Sequence, residues 1–207
     1  MTLILGTSSS FRRSFFKTEF KDFLIKDESM QFLTPDIDEK AIRHPDASVL
    51  CQKIAIAKCD AIVEKYGNVL PNNAIVLTFD QVVVCNNEIR EKPEDNDELR
   101  RFLQSYKYVC ILFDFSFFLQ MFSSSSISLC CREGQPARAL SGIVAHNIKN
   151  GKRQVLLDEL SITFTEFPDS VVEHLIQTKT VFKASGGMII RKSWKPALIL
   201  YLLTIMI

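Results

Sequence analysis

Residues 74–93, AIVLTFDQVVVCNNEIREKP, decide how the rest of the 207-residue chain is read. An apolar run, Ile75-Val76-Leu77, meets a polar break at Thr78-Phe79-Asp80-Gln81 and resumes as Val82-Val83-Val84, so one carboxylate interrupts an otherwise buried strand. Burying an ionised carboxylate is costly unless the site supplies a metal, a cation or a hydrogen-bond donor. A bond from Asp80 to neighbouring backbone is the plainer alternative. Cys85-Asn86-Asn87-Glu88 predicts a tight hairpin, because Asn tolerates positive φ at turn centres. That turn sends Lys92 back toward Asp80.

Upstream, Leu3-Ile4-Leu5 reads as a short buried strand ending at Gly6, then Thr7-Ser8-Ser9-Ser10 and a helical Phe11 to Phe16. A serine there can cap the helix, whose first N–H groups would favour an anion, with Arg12 and Arg13 adding charge. An ordinary cap followed by solvated arginines accounts for the same residues. Phe23-Leu24-Ile25 and Met30 to Leu33 predict strand. Pro35-Asp36-Ile37-Asp38-Glu39 predicts a loop, either a source of metal carboxylates or a solvated acidic turn. From Pro45 to Tyr66, Val49, Ile54, Ala57, Ala61 and Ile62 recur at helical spacing, with Pro45 at the start and Gly67 past the end. Lys53 and Lys58 are not on one face of that helix, so at most one points at a shared site.

Downstream, residues 93–106 predict a helix with a capping box at Asp95 and Glu98 and a buried stripe of Leu99, Phe102 and Leu103. Residues 137–167 alternate as strands around a hairpin at Ile148 to Lys152, with Leu160, Ile162 and Phe164 on one face. A helix follows from Pro168 to Thr178, with Ser170 and Glu173 at capping-box spacing. Lys183 to Gly187 is a turn that either lets backbone approach a ligand or only reverses the chain.

Composition bounds the class. With 47% hydrophobic and 24% charged residues the chain suits one globular domain, and a net charge of +1 gives no bulk attraction to a nucleic-acid polymer. Six cysteines show no C-x-x-C pair and no ligand spacing with His44, His146 or His174, which predicts reduced thiols in a cytoplasmic protein. The start, MTLILGTSSSFRR, lacks the basic region and long apolar core of an export signal.

Taken in order, these motifs resemble the Maf family of nucleoside triphosphate pyrophosphatases. The resemblance rests on Leu3-Ile4-Leu5 through Arg13, Pro35 to Glu39, Lys53 to Ala61, Phe79 to Val83, Glu91-Lys92-Pro93 and Ala184-Ser185-Gly186-Gly187. It implies a single domain with an elongated α/β, Maf/ITPase-like fold, a mixed central sheet flanked by helices, and a nucleotide cleft. The implied reaction converts a nucleoside triphosphate, modified bases included, to the monophosphate and pyrophosphate with Mg²⁺ or Mn²⁺. Asp80, Lys58 and Lys92 match the family's catalytic positions, Ser9, Arg12, Arg13 and Gln81 its substrate-binding ones, and Asp80 with Glu39 the metal carboxylates. Gln81 resembles the motif variant associated with methylated guanine nucleotides. The implied partner is the nucleotide, with no membrane, and a homodimer is the assembly to look for.

The chain departs from the family pattern in three places. Phe11 replaces a proline usual there, and together with a changed C-terminus it raises the alternative of a catalytically inactive nucleotide-binding relative. Residues 108–132 are an insertion, and residues 192–207 replace the family's closing segment. Both apolar runs are too short to span a bilayer. Removing Tyr108 to Arg132 joins Ser105-Tyr106-Lys107 to Glu133-Gly134-Gln135 in the family register, so both stretches are read as translated non-coding sequence. Transcripts that carry the insertion in most mature messages would overturn that reading.

Overall fold

The computed structural model describes residues 2–19, 29–107, 136–164 and 167–189. Phe23-Leu24-Ile25, the insertion and the C-terminal apolar run lie outside the described residues. The strands are β1 (Thr2–Gly6), β2 (Ser29–Leu33), β3 (Ala74–Cys85), β4 (Glu88–Arg90), β5 (Ala137–Asn147) and β6 (Arg153–Ile162). The helices are α1 (Ser10–Glu19), α2 (Ala47–Tyr66), α3 (Asn96–Ser105) and α4 (Asp169–Thr178). One sheet has the order β2-β1-β3-β5-β6, with β4 paired to β3. β1 is parallel to β2 and β3, whereas the tight turns joining β3 to β4 and β5 to β6 make those pairs antiparallel. The sheet is therefore mixed and the class α/β.

The chain divides into two compact units, one of residues 2–83 and 139–160, the other of residues 84–138 and 161–189 so far as these are described. In the first unit, strand alternation sorts the sheet into two faces. Leu3, Leu5, Ile75, Leu77 and Phe79 pack with Phe16 of α1. Ile4, Ala74, Val76 and Val144 pack with Ala55, Cys59 and Ile62 of α2.

Helix α2 starts two residues later than Pro45 suggested. The Asp46 carboxylate accepts the N–H groups of Ser48 and Val49, so Pro45 stands before the cap. Gly67 closes the helix in right-handed conformation, φ −50°, and its N–H donates to Val63 O at 2.8 Å, so no left-handed glycine is needed. The buried stripe is Ala47, Leu50, Cys51, Ile54, Ala55, Lys58, Cys59 and Ile62. Val49, Ala57 and Ala61 are only half-buried. The stripe read from apolar residues alone is off because a lysine occupies one of its turns.

In the second unit, Asn86 and Asn87 take φ of 52° and 60°, the hairpin geometry expected of them. Asp95 caps α3 by accepting the Glu98 N–H at 2.8 Å, and Glu98 returns a bond to the N–H of Glu94 rather than to that of Asp95. Leu99, Phe102 and Leu103 are buried as expected. The capping box expected at Ser170 and Glu173 does not form. Helix α4 begins after Pro168 with no side-chain cap, and Glu173 instead meets Arg100 of α3 through two bonds, at 3.0 and 3.1 Å. Strand β6 ends at Ile162, and Phe164 beyond it stacks on Tyr106. Among the described residues no helix is long and apolar enough to cross a membrane.

Gly142 of β5 lies against the backbone of α2: a Cβ there would lie 2.5 Å from Cys51 O and 2.6 Å from Cys51 C. Backbone on both sides cannot give way as a side chain can. Gly142→Ala should lower stability by about 1–3 kcal/mol through overpacking, read as a lower urea midpoint with unchanged slope.

Candidate active site

Register places the site. Gly6 of β1 pairs with Thr78 of β3, so β3 runs on past the end of β1, where Thr7 to Ser9 leave the sheet for α1. Even-numbered residues of β3 face α2, as Ala74 and Val76 do. Thr78 follows, its hydroxyl donating to Ala55 O at 2.7 Å. Asp80 follows in turn and meets Lys58, whose Nζ donates to Asp80 Oδ1 at 2.8 Å. By the same alternation Gln81 lies on the opposite face, with Phe79.

The Lys58 ammonium has three protons and three oxygen partners. Besides Asp80 it lies 3.1 Å from Glu39 Oε1 and 3.3 Å from Phe79 O. Glu39 opens a 3-10 turn, Glu39–Ala41, capped by Asp38, so the acidic loop delivers one carboxylate inward and spends another on its own backbone. Lys58 is the lysine of α2 that reaches the site, while Lys53 is exposed. Arg12 enters from α1, its Nη1 donating to the same Phe79 O at 3.2 Å. One strand carbonyl beyond the end of β1 thus anchors two cations.

Asp80 is 6% exposed. Burial pushes its carboxyl above the usual carboxylate range, against the pull of Lys58 and Arg12, and Glu39 adds to the rise. Burial lowers the Arg12 guanidinium, opposed first by Asp80 and then by Glu39. The four groups form one electrostatic cluster. Cys51 feels Asp80 too, but burial pushes its thiol up to about 12, which makes it an inert neighbour rather than a nucleophile.

Arg13 sits differently. Its Nε and Nη2 donate to Thr7 O at 3.0 and 2.7 Å, and Nη2 also to Thr34 Oγ1 at 2.9 Å, which ties the loop after β1 to the end of β2. Ser9 caps α1: its Oγ accepts the Arg12 N–H at 3.3 Å, its carbonyl the Arg13 N–H at 3.0 Å, and its own N–H donates to Thr7 Oγ1 at 3.1 Å. The cap forms with Phe11 in place of proline. Lys92 is exposed just past β4, in the second unit. Sequence reasoning missed the roles of Thr7, Thr34 and Thr78, whose signal was only a threonine just past β1, another just past β2, and one inside β3 level with the end of β1.

The family described as Maf-like protein matches residues 2–110. The chain is also 31% identical over 190 residues to a 7-methyl-GTP pyrophosphatase of Dictyostelium discoideum, covering 89% of this chain and 79% of that protein. The chain belongs to the Maf family. A 7-methyl-GTP pyrophosphatase of Alcanivorax borkumensis is 25% identical over 188 residues, 90% of this Maf chain and 75% of its own length. A crystal structure of a nucleoside-triphosphatase, dITP/XTP pyrophosphatase, from Mycobacterium abscessus overlays with a TM-score of 0.43 and 9% identity, over 81% of this chain and 76% of that one.

The Lys58–Asp80 pair generates a pH-dependent prediction. Removing one partner of a buried pair leaves the other charge stranded, so Lys58→Met should cost about 3–5 kcal/mol near pH 7. Asp80 already has a raised folded-state pKa, and losing Lys58 raises it further. A group raised on folding contributes stability below its unfolded pKa and loses it as pH rises through the folded one. The deficit of Lys58→Met should therefore shrink as pH is lowered from 7 into the acid range and the Asp80 carboxyl takes a proton. Urea midpoints of both proteins across that range check it; a constant gap would place the penalty in packing.

Proposed function

We propose that this chain hydrolyses 7-methylguanosine triphosphate to the monophosphate and pyrophosphate at the cluster of Asp80, Lys58, Glu39 and Arg12. The class is nucleoside triphosphate pyrophosphatase, a hydrolase acting on acid anhydrides, as in its curated relatives. The base is taken from the names of those relatives, with Gln81 beside Asp80 as the sequence feature that agrees. The observation that carries the site is a nearly buried carboxylate held 2.8 Å from a buried ammonium. Perturbed, charge-paired carboxylates of this kind mark functional sites. An inactive relative is not favoured, since the cap of α1 and the four-group cluster are both intact.

The donor set fits a hard divalent cation. Asp80 and Glu39 each bring one carboxylate oxygen to the Lys58 ammonium, which sets the two carboxylates side by side, and magnesium takes one or two carboxylates from protein when substrate phosphates supply the rest. Among the described residues no group of three or more His, Cys, Asp or Glu gathers, and zinc would want such a set. Charge makes the same case: Lys58 and Arg12 balance Asp80 and Glu39 one for one, so the phosphates need further positive charge. Bound there, Mg²⁺ or Mn²⁺ would neutralise phosphate oxygens and polarise the phosphorus under attack.

The chain's own groups do the rest. Asp80 Oδ1 is engaged by Lys58, so Asp80 Oδ2 orients a water and takes its proton as the water oxygen bonds to the α-phosphorus. The bond from that phosphorus to the bridging oxygen breaks, and its electron pair leaves with pyrophosphate. Arg12 holds phosphate oxygens with fixed donors, and Arg13 keeps the Thr7 to Ser9 loop in shape. The buried reduced cysteines Cys51, Cys59 and Cys85 agree with a cytoplasmic setting.

Asp80→Asn should cut turnover by about 10²-fold or more while the circular dichroism spectrum stays unchanged. In the parent enzyme kcat/KM should fall tenfold per pH unit on the acid side, with a midpoint above the ordinary carboxylate range, because the ionised form works and burial raises its pKa. Retained turnover in Asp80→Asn within a few-fold would remove Asp80 from the chemistry. Chelation followed by dialysis should abolish hydrolysis, and Mg²⁺ or Mn²⁺ should restore it. Arg12→Ala should raise KM for the triphosphate more than it weakens binding of the nucleoside.

A further inference from the structure

We infer that Thr78 is a positioning residue whose hydroxyl fixes the turn of α2 carrying Lys58 level with Asp80. The inference rests on the reading of Asp80 and Lys58 as the reacting pair. All of these groups belong to the first unit. Thr78 is wholly buried. Ala74 and Val76, the preceding residues of β3 on its face, are apolar and pack on Ala55, Cys59 and Ile62 of α2. A valine at position 78 would continue that row, and a buried hydroxyl is costly unless it finds an acceptor. Thr78 finds one in the backbone of α2, donating to Ala55 O at 2.7 Å. The next residue of that strand face is Asp80, and about one helical turn beyond Ala55 stands Lys58. The hydrogen bond and the ion pair are thus adjacent rungs between the same strand and helix, and helix backbone makes the first.

The rotamer of Thr78 is set from the other side. Gly6 of β1 is its partner across the sheet, and a Cβ there would collide with Thr78 Cγ2 and Ile62 Cδ1. The methyl group occupies the room that Gly6 leaves, and the stiff β-branched side chain turns its hydroxyl to α2. Gly142 of β5 meets the backbone of the same helix at Cys51 and Gln52. Positions 51, 55, 58 and 62 share one face of α2, so the sheet locates the helix at successive turns. Lys58 depends on this most. A flexible four-carbon stem separates its Nζ from the backbone, yet Nζ meets Asp80 Oδ1, Glu39 Oε1 and Phe79 O together. Displacing a reacting group by about 1 Å can cost about 10²-fold in rate, so a helix held by its backbone at Ala55 keeps the pair in register.

The test measures kcat and KM for 7-methylguanosine triphosphate in Thr78→Val and Thr78→Ser, each made in the parent and in Asp80→Asn, on proteins shown to be folded by circular dichroism. Thr78→Val keeps the shape and removes the hydroxyl. It should lower kcat about tenfold in the parent, with KM changed by less than about twofold, and should lower the residual kcat of Asp80→Asn by less than about twofold. Thr78→Ser keeps the hydroxyl and should stay within about threefold of the parent. Thr78→Ala, which removes hydroxyl and methyl together, should repeat the loss of Thr78→Val and carries the comparison if that protein does not fold. Parent-like kcat in Thr78→Val, a loss that Thr78→Ser shares, or equal losses in both backgrounds would overturn the positioning role while leaving Asp80 in the chemistry. Parent-like turnover in Asp80→Asn would instead overturn the reading of Asp80, and this inference with it.

Discussion

The contact between the Lys58 ammonium and the Asp80 carboxylate, 2.8 Å long with both side chains under a tenth exposed, is what the first unit's arrangement depends on. A pair of apolar side chains of similar volume would join α2 to the sheet at least as well, because desolvation offsets much of the attraction of a buried pair. Its presence is thus better explained by chemistry than by stability. Burial pushes the Asp80 carboxyl above its ordinary range, and Lys58 opposes that rise.

Everything else near that pair follows from where β1 stops. Past Gly6 the strand partner is gone, and the Phe79 carbonyl accepts from Lys58 and Arg12. Close packing makes this geometry narrow: a Cβ at Gly6 would lie 2.3 Å from Ile62 Cδ1 and 2.6 Å from Thr78 Cγ2. The charged groups collect at the carboxyl end of a parallel strand, where open α/β sheets ordinarily place ligands. Arg12 and Arg13 are neighbours in sequence with different work, one committed to β3 and the other to the loop between β1 and β2.

The second unit follows a similar logic with a cation in place of an anion. The Arg90 guanidinium is buried, with its Cζ 4.9 Å from the ring centroids of both Phe102 and Tyr106, and electron-rich ring faces with fixed acceptors for its planar donors offset part of the cost of leaving water. Glu88 completes the set, shared between Arg90 and Arg101. Burial dominates its surroundings, yet its two arginines hold the Glu88 carboxyl below the usual range. The ion pair of Arg100 with Glu173 joins α3 to α4 at the surface, where such contacts contribute little.

Sequence by itself determined the elements whose cause is local. The Asn86-Asn87 turn, the Asp95 cap, the apolar stripe of α3 and the alternation of β3 each depend on residues within a few positions of one another, so they were legible before any fold was known. It also singled out Asp80, because a carboxylate inside an apolar run is an anomaly that chemistry must resolve. What resolved it was a cation, Lys58, twenty-two positions away; the family resemblance named that lysine, but residue spacing alone did not separate it from Lys53, which the turn of one helix and the parity of one strand did. The α2 stripe was misplaced for the same reason, since a lysine is scored as surface until its partner is known, and Glu173 passed for a capping residue until Arg100 claimed it. Only the tertiary structure decided these, because the energy of a buried charge depends on which groups surround it in space, and sequence spacing carries no record of that.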